Sequence, residues 1–153
     1  MPHPARMEKN VMSVPERSEV VARAEILIAD DNRDTREMHA LYLSMLGYSV
    51  AVAADGREAV RSARSHRPNL IVMDLDMPEL DGWTAIRELQ SDALTAAIPV
   101  IVLTGHDLKT ELKDVAIAAG AVAYLMKPCF PEELAREISG RLAASRARMP
   151  EAL

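Results

Sequence analysis

Short apolar runs punctuate this chain, and four of them stop at a side chain with chemistry of its own. EILIA (25–29) runs into Asp30 and Asp31, LIVM (70–73) into Asp74, VIVL (100–103) into Thr104, and AVAYLM (121–126) into Lys127. Near-continuous apolar runs of this length are the pattern of strands buried on both faces. YSVAVA (48–53) supplies a further strand.

Between the runs the period changes to that of a helix. Over 33–46, Met38, Leu41, Tyr42, Met45 and Leu46 form one predicted apolar stripe, and Gly47 suits the C-terminal cap. Asp55-Gly-Arg-Glu58 resembles a capping box that opens a second helix. Pro78 and Gly82 mark a loop before a helix near 83–92. Leu108, Leu112, Val115, Ala116 and Ala119 stripe another, stopped by Gly120. Pro131, well placed in a first helical turn, opens the last, striped by Leu134, Ile138 and Leu142. Arg141, Arg146 and Arg148 are expected at a fraying C-terminus, where basic residues suit the helix dipole. The pattern is βα repeated five times, which predicts an α/β domain with a parallel sheet. Residues 1–24 carry no sustained period and are interrupted by Pro2, Pro4 and Pro15, so they are expected to be a flexible extension. The domain proper is expected over 25–146, with 147–153 as a short tail.

Composition narrows the class. At 153 residues the chain is long enough for one domain with a real core. It is 49% apolar but only 3% aromatic, so that core must be aliphatic. A net charge of −5 argues against a nucleic-acid surface. No stretch is long and apolar enough to cross a bilayer. The N-terminal residues lack the apolar centre of a signal peptide, and a lone Cys129 cannot form an internal disulfide. A cytoplasmic protein is the expectation.

In a parallel sheet the carboxyl ends of the strands share one edge, where ligands bind. Asp30, Asp31, Asp74, Thr104 and Lys127 should therefore meet there. Like charges about 4 Å apart cost about 4 kcal/mol at an effective dielectric near 20, and a bound cation relieves that. Oxygen ligands and a partly hydrated site suit Mg²⁺. A carboxylate such as Asp74 can act as a nucleophile toward phosphorus, and Lys127 can hold a phosphoryl oxygen. Three carboxylates, one Mg²⁺ and one lysine are formally neutral together, which lets an anionic group approach. Thr104 can cap a helix or reach a phosphoryl oxygen. Tyr124 shares a strand face with Met126, so its outward tip can move with the neighbouring loop. His39 and His66 fall on helices and are expected at the surface, as is His106 in a loop; Cys129 reads as loop packing.

ILIADDN, LIVMDLDMPELDG, VIVLTGH and AYLMKP, in this order and spacing, closely resemble the receiver domain of bacterial two-component response regulators. The resemblance covers about 25–146. It implies a flavodoxin-like, doubly wound (βα)₅ fold with strand order 2-1-3-4-5. By position it implies Asp74 as phosphoacceptor, with Asp30 and Asp31 organising Mg²⁺ and the backbone carbonyl of Asp76 completing the ligands. It also implies Thr104 and Tyr124 as switch residues, and Lys127 as the phosphate-binding lysine followed by a cis peptide to Pro128. Asp76 and His106 resemble positions that tune hydrolysis of the phosphate.

The implied partners are a histidine kinase or histidine phosphotransfer protein, and a downstream protein met through residues 107–146. The few residues after the last helix are too short for a DNA-binding module, so a stand-alone receiver without DNA binding or membrane attachment is expected. Such a protein is not an enzyme beyond its own phosphotransfer and slow autodephosphorylation. A rival reading takes LIVMDLDMP as the Asp-x-Asp motif of haloacid-dehalogenase-type phosphatases. Met77-Pro78 and the lack of a later acidic motif argue against it. A third reading, a receiver-fold adaptor that is never phosphorylated, sits badly with the intact acids, Thr104 and Lys127.

Overall fold

The computed structural model describes residues 24–105, 117, 118 and 120–148. Five strands are formed, β1 (Glu25–Ala29), β2 (Ser49–Ala53), β3 (Leu70–Asp74), β4 (Val100–Thr104) and β5 (Ala121–Met126). Four described helices accompany them, α1 (Arg33–Met45), α2 (Gly56–His66), α3 (Gly82–Ser91) and α4 (Pro131–Arg148). The helix expected from Leu108 to Ala119 and the extension over 1–23 lie outside the described residues, as does His106.

All neighbouring strands pair in parallel, in the order β2-β1-β3-β4-β5. This is the flavodoxin-like, doubly wound sheet that the motifs imply. Alternation along the strands divides the core in two. Leu27, Ile71, Met73, Val100 and Val102 point to one face, covered by Ala59 and Val60 of α2 and Ile86 and Leu89 of α3. Ile26, Ile28, Leu70, Val72, Ile101 and Leu103 point to the other, covered by Leu43 of α1 and Leu134 and Ile138 of α4. The predicted stripe of α4 is thus the one buried, with Leu142 packed at its edge. Its helix continues to Arg148 rather than fraying from Arg141, and Arg141 pairs with Glu137 one turn earlier at 2.8 Å.

Strand alternation breaks once. Val100 pairs with Ala121, but Ile101 pairs with Ala123, so β5 carries an extra residue at Val122. This bulge lets Ala121 and Tyr124 pack toward the same layer although their spacing is odd.

Side-chain caps fix where the helices begin. Asn32 accepts from Thr35 N, Asp55 from Glu58 N, and Asp81 from Thr84 N. The box expected at Asp55 forms with one shift: Glu58 Oε1 accepts from Ala54 N, one residue before the cap. Gly47, at φ 103, ends α1 in the left-handed region as its position predicts.

The stripe expected on α1 is wrong. Met38, Leu41, Met45 and Leu46 are exposed, Leu41 to 64%, and only Tyr42 is half-buried. The face toward the sheet carries His39 and Leu43 instead. The cause is polar. The Arg36 guanidinium donates to Asp30 O at 2.8 Å, and His39 Nε2 lies 2.9 Å from Cys129 O. These bonds turn the helix so that the run of apolar residues on its flank faces outward. His39 is therefore buried, not at the surface as expected, whereas His66 is exposed.

Candidate functional site at the carboxyl edge of the sheet

Parallel register carries each reactive residue to one edge. Asp74 ends β3 opposite Leu103 of β4, and Thr104 ends β4 opposite Met126 of β5. Asp30 follows β1, its N–H donating to Ala53 O of β2 at 3.0 Å. Lys127 follows β5, its N–H donating to Thr104 O at 2.7 Å. The sheet thus continues one hydrogen bond past its last residues and sets both the acid and the lysine.

Asp30, Asp31 and Asp74 bring a carboxylate oxygen each to within 4.8 Å of one another. Asp30 and Asp74 are buried while Asp31 faces solvent. Lys127 Nζ sits 3.1 Å from Asp74 Oδ2 and 3.3 Å from Asp30. Asp74 Oδ1 accepts from Asp76 N, and Asp30 Oδ1 from Asn32 N. Asp30 Oδ2 is buried and, though near Lys127, accepts no hydrogen bond. A buried anionic oxygen left this way beside two further acids is a polar atom that the protein's own donors do not satisfy. The donor set is all oxygen, with an exposed side for water, and it fits a small hard divalent ion.

Burial pushes the Asp74 carboxyl up to about 6. The Asp76 N–H and Lys127 oppose that rise, and the neighbouring Asp30 charge adds to it. Burial works against the Lys127 ammonium too, but Asp30 and Asp74 outweigh it and hold the amine above its ordinary value. One lysine for three acids leaves an unbalanced negative charge around Asp74.

Thr104 is buried at the floor of the edge. Tyr124, paired with Val102, packs half-buried against the layer under α2 and α3. The Lys127–Pro128 peptide is cis, as the motif implies. Cys129 is buried beside it, and burial foremost pushes its thiol up to about 11, so it packs rather than reacts. Sequence reasoning missed Arg36 and His39, which reach the backbone on either side of the site. Neither stands in a motif, because a side chain that bonds a distant carbonyl leaves no periodic trace.

Residues 26–139 match the response regulator receiver domain. The chain belongs to that family. Response regulator MprA of Mycolicibacterium vanbaalenii is 44% identical over 109 residues, covering 71% of this chain and 46% of MprA. The DNA-binding response regulator MtrA of Mycobacterium tuberculosis is 35% identical over 122 residues, covering 78% of this chain and 51% of MtrA. The chain spans about half the length of the curated relatives it matches. Among solved structures, the chemotaxis protein CheY4 of Vibrio cholerae superposes with TM-score 0.72 at 32% identity, covering 76% of this chain and 97% of CheY4. The receiver domain of a sensor histidine kinase from Pseudomonas aeruginosa gives TM-score 0.71 at 36% identity, covering 78% of this chain and 98% of that one. That structure holds a magnesium ion coordinated in its active site cleft. Among the described residues of this receiver, no helix is long and apolar enough to cross a membrane.

Proposed function

We propose that this receiver is a phosphorylation-dependent switch, with Asp74 as its phosphoacceptor. One observation carries the reading: a buried carboxylate held 3.1 Å from an ammonium, inside a cluster of acids that one lysine cannot neutralise. The phosphoryl donor is a histidine kinase or a histidine phosphotransfer protein. Asp30, Asp31 and Asp74, with the backbone carbonyl of Asp76, would hold Mg²⁺, which when bound would supply charge neutralisation to the transferring phosphoryl group. An Asp74 carboxylate oxygen attacks phosphorus, and the bond from phosphorus to the donor nitrogen breaks as the new P–O bond forms. Lys127 stays charged beside the attacking group and takes a phosphoryl oxygen in place of an Asp74 oxygen. Thr104, at the end of the adjacent strand, donates its hydroxyl to another and draws its loop inward, and Tyr124 follows.

The receiver unit is taken as residues 25–146, and its signal leaves by protein contact over 107–146. A DNA-binding role belongs to the longer relatives and is no part of this proposal. Catalysis is limited to the chain's own phosphotransfer and slow autodephosphorylation.

Intact mass after incubation with Mg²⁺ and acetyl phosphate tests the reading. One added phosphate, mapping to Asp74 and absent from Asp74→Asn, is the expected result. A phosphate that persists in that variant overturns it.

A further inference from the structure

Among the described residues five polar side chains are buried, Asp30, His39, Asp74, Thr95 and Thr104. Three of them meet at the site. Thr95 closes the end of α3, its hydroxyl donating to Leu89 O at 2.7 Å. His39 is left over. It is 1% exposed, with Leu43 of the apolar layer one turn on along the same helix face.

Its one bond is long-range. Nε2 lies 2.9 Å from the carbonyl oxygen of Cys129, 90 residues away. A carbonyl only accepts, so Nε2 carries the hydrogen. Nδ1 is buried and has no partner among the described residues, so the ring's one hydrogen bond is the one to Cys129. A polar ring half-satisfied in an apolar layer costs free energy that Leu at this position would not. What the ring holds is the loop of Lys127. Upstream, Lys127 N–H donates to Thr104 O at the end of the sheet. Two residues downstream, His39 takes the Cys129 carbonyl. The lysine backbone is therefore gripped on both sides, which matters because the side chain itself is a flexible stem.

The same helix is tied to the acids. Asn32, its N-cap, donates its N–H to Asp30 Oδ1, and Arg36 donates to Asp30 O. One element thus bonds Asp30, at its side chain from Asn32 and at its backbone from Arg36, and then the lysine loop from His39.

We propose that His39 is a positioning residue for Lys127: it acts through the Cys129 carbonyl to keep the ammonium on Asp74, and touches no reacting atom. Its consequence for phosphorylation rests on the role proposed for Asp74, whereas the tautomer and the grip on the loop do not.

The test compares wild type, His39→Gln and His39→Leu in the full chain. Gln keeps an N–H donor at similar reach; Leu fits the apolar layer but leaves the carbonyl alone. Phosphorylation by acetyl phosphate at saturating Mg²⁺ is expected to fall about tenfold or more in His39→Leu, since displacements near 1 Å cost up to 10²-fold. In His39→Gln it should stay within about twofold. Mg²⁺ affinity, read by Trp83 fluorescence, should not fall in either variant, because a displaced Lys127 takes a competing cation, not a ligand, away from Asp30 and Asp74. A loss of affinity matching the loss of rate would make His39 merely structural and overturn the proposal, as would a wild-type rate in His39→Leu. Two NMR readings need no phosphate. Ring nitrogen shifts should show the Nε2–H tautomer of His39 in the wild type, and the Lys127 Cε–Hε signals should move in His39→Leu but not in His39→Gln. The opposite tautomer, or unmoved lysine signals, overturns the proposal even if His39→Leu were too unstable for kinetics. Wild type that takes no phosphate would instead refute the role of Asp74, and the NMR readings would still decide that of His39.

Discussion

A buried carboxyl at about 6 has a consequence for stability that its chemistry does not. Because the native state holds the Asp74 proton more tightly than the unfolded chain, the metal-free protein binds more protons when folded between about pH 4 and pH 6. Its stability therefore falls as pH rises through that window, and the full cost of the charge is expressed above it. A shift of roughly two units is on the order of 3 kcal/mol. Asp74→Asn carries no such charge at any pH. In chelator, its melting temperature should exceed that of wild type clearly at pH 7.5 and match it near pH 4. A gap that does not change with pH would remove the burial argument. Also at this scale, Glu79 sits at φ 67 while Leu80 N donates to Pro78 O at 2.7 Å, a three-residue turn around a residue with a Cβ. Left-handed backbone costs such a residue about 1–2 kcal/mol. Glu79→Gly should raise the unfolding free energy, read by denaturant titration, by up to about 1 kcal/mol, and Glu79→Val should lower it. The acids and the lysine were legible in sequence because each ends an apolar run. The turn at Glu79 and the burial of His39 were not, since both depend on distant or backbone partners.

Helices and strands show the same division. The strands, the capping acid of α2 and the buried stripe of α4 follow from local pattern, where period and burial agree. On α1 they disagree. Its length was legible but its rotation was not, because Arg36 and His39, rather than the apolar residues, dock it. The bulge at Val122 likewise leaves no mark in an unbroken apolar run. Glycines make the contrast testable. A Cβ on Gly56 would run into the backbone carbonyl of Leu80, in the loop after Asp74. Gly56→Ala should cost a few kcal/mol, of the size seen for overpacking, and should shift amide signals over residues 75–81. Gly140, inside α4, has nothing within 4 Å of the same atom. There Gly140→Ala should stabilise by about 0.5–1 kcal/mol through helix propensity and the unfolded chain. If both variants moved the midpoint alike, crowding at Gly56 would not be what distinguishes them.

For the molecule as a whole, the site is where the sheet's free energy and its ligand meet. The core needs nothing from the acids, which repel one another across less than 5 Å. If the cluster holds a cation as proposed, the acids should lower the stability of the metal-free fold, and that repulsion should be released on binding. Mg²⁺ at about 100 times its dissociation constant should stabilise the folded state by about 2.7 kcal/mol, by mass action alone. Asp31 separates the two effects, because it is the exposed member of the cluster. In chelator, Asp31→Ala should melt no lower than wild type, since a like charge has gone. With saturating Mg²⁺ the order should invert, the wild type gaining several degrees while the variant gains little. Calorimetric scans of both proteins in chelator and across a Mg²⁺ series check this. Equal gains in the two proteins would take Asp31 out of the metal site, whereas a lower melting temperature for the variant in chelator would show that the acid supports the fold and does not strain it.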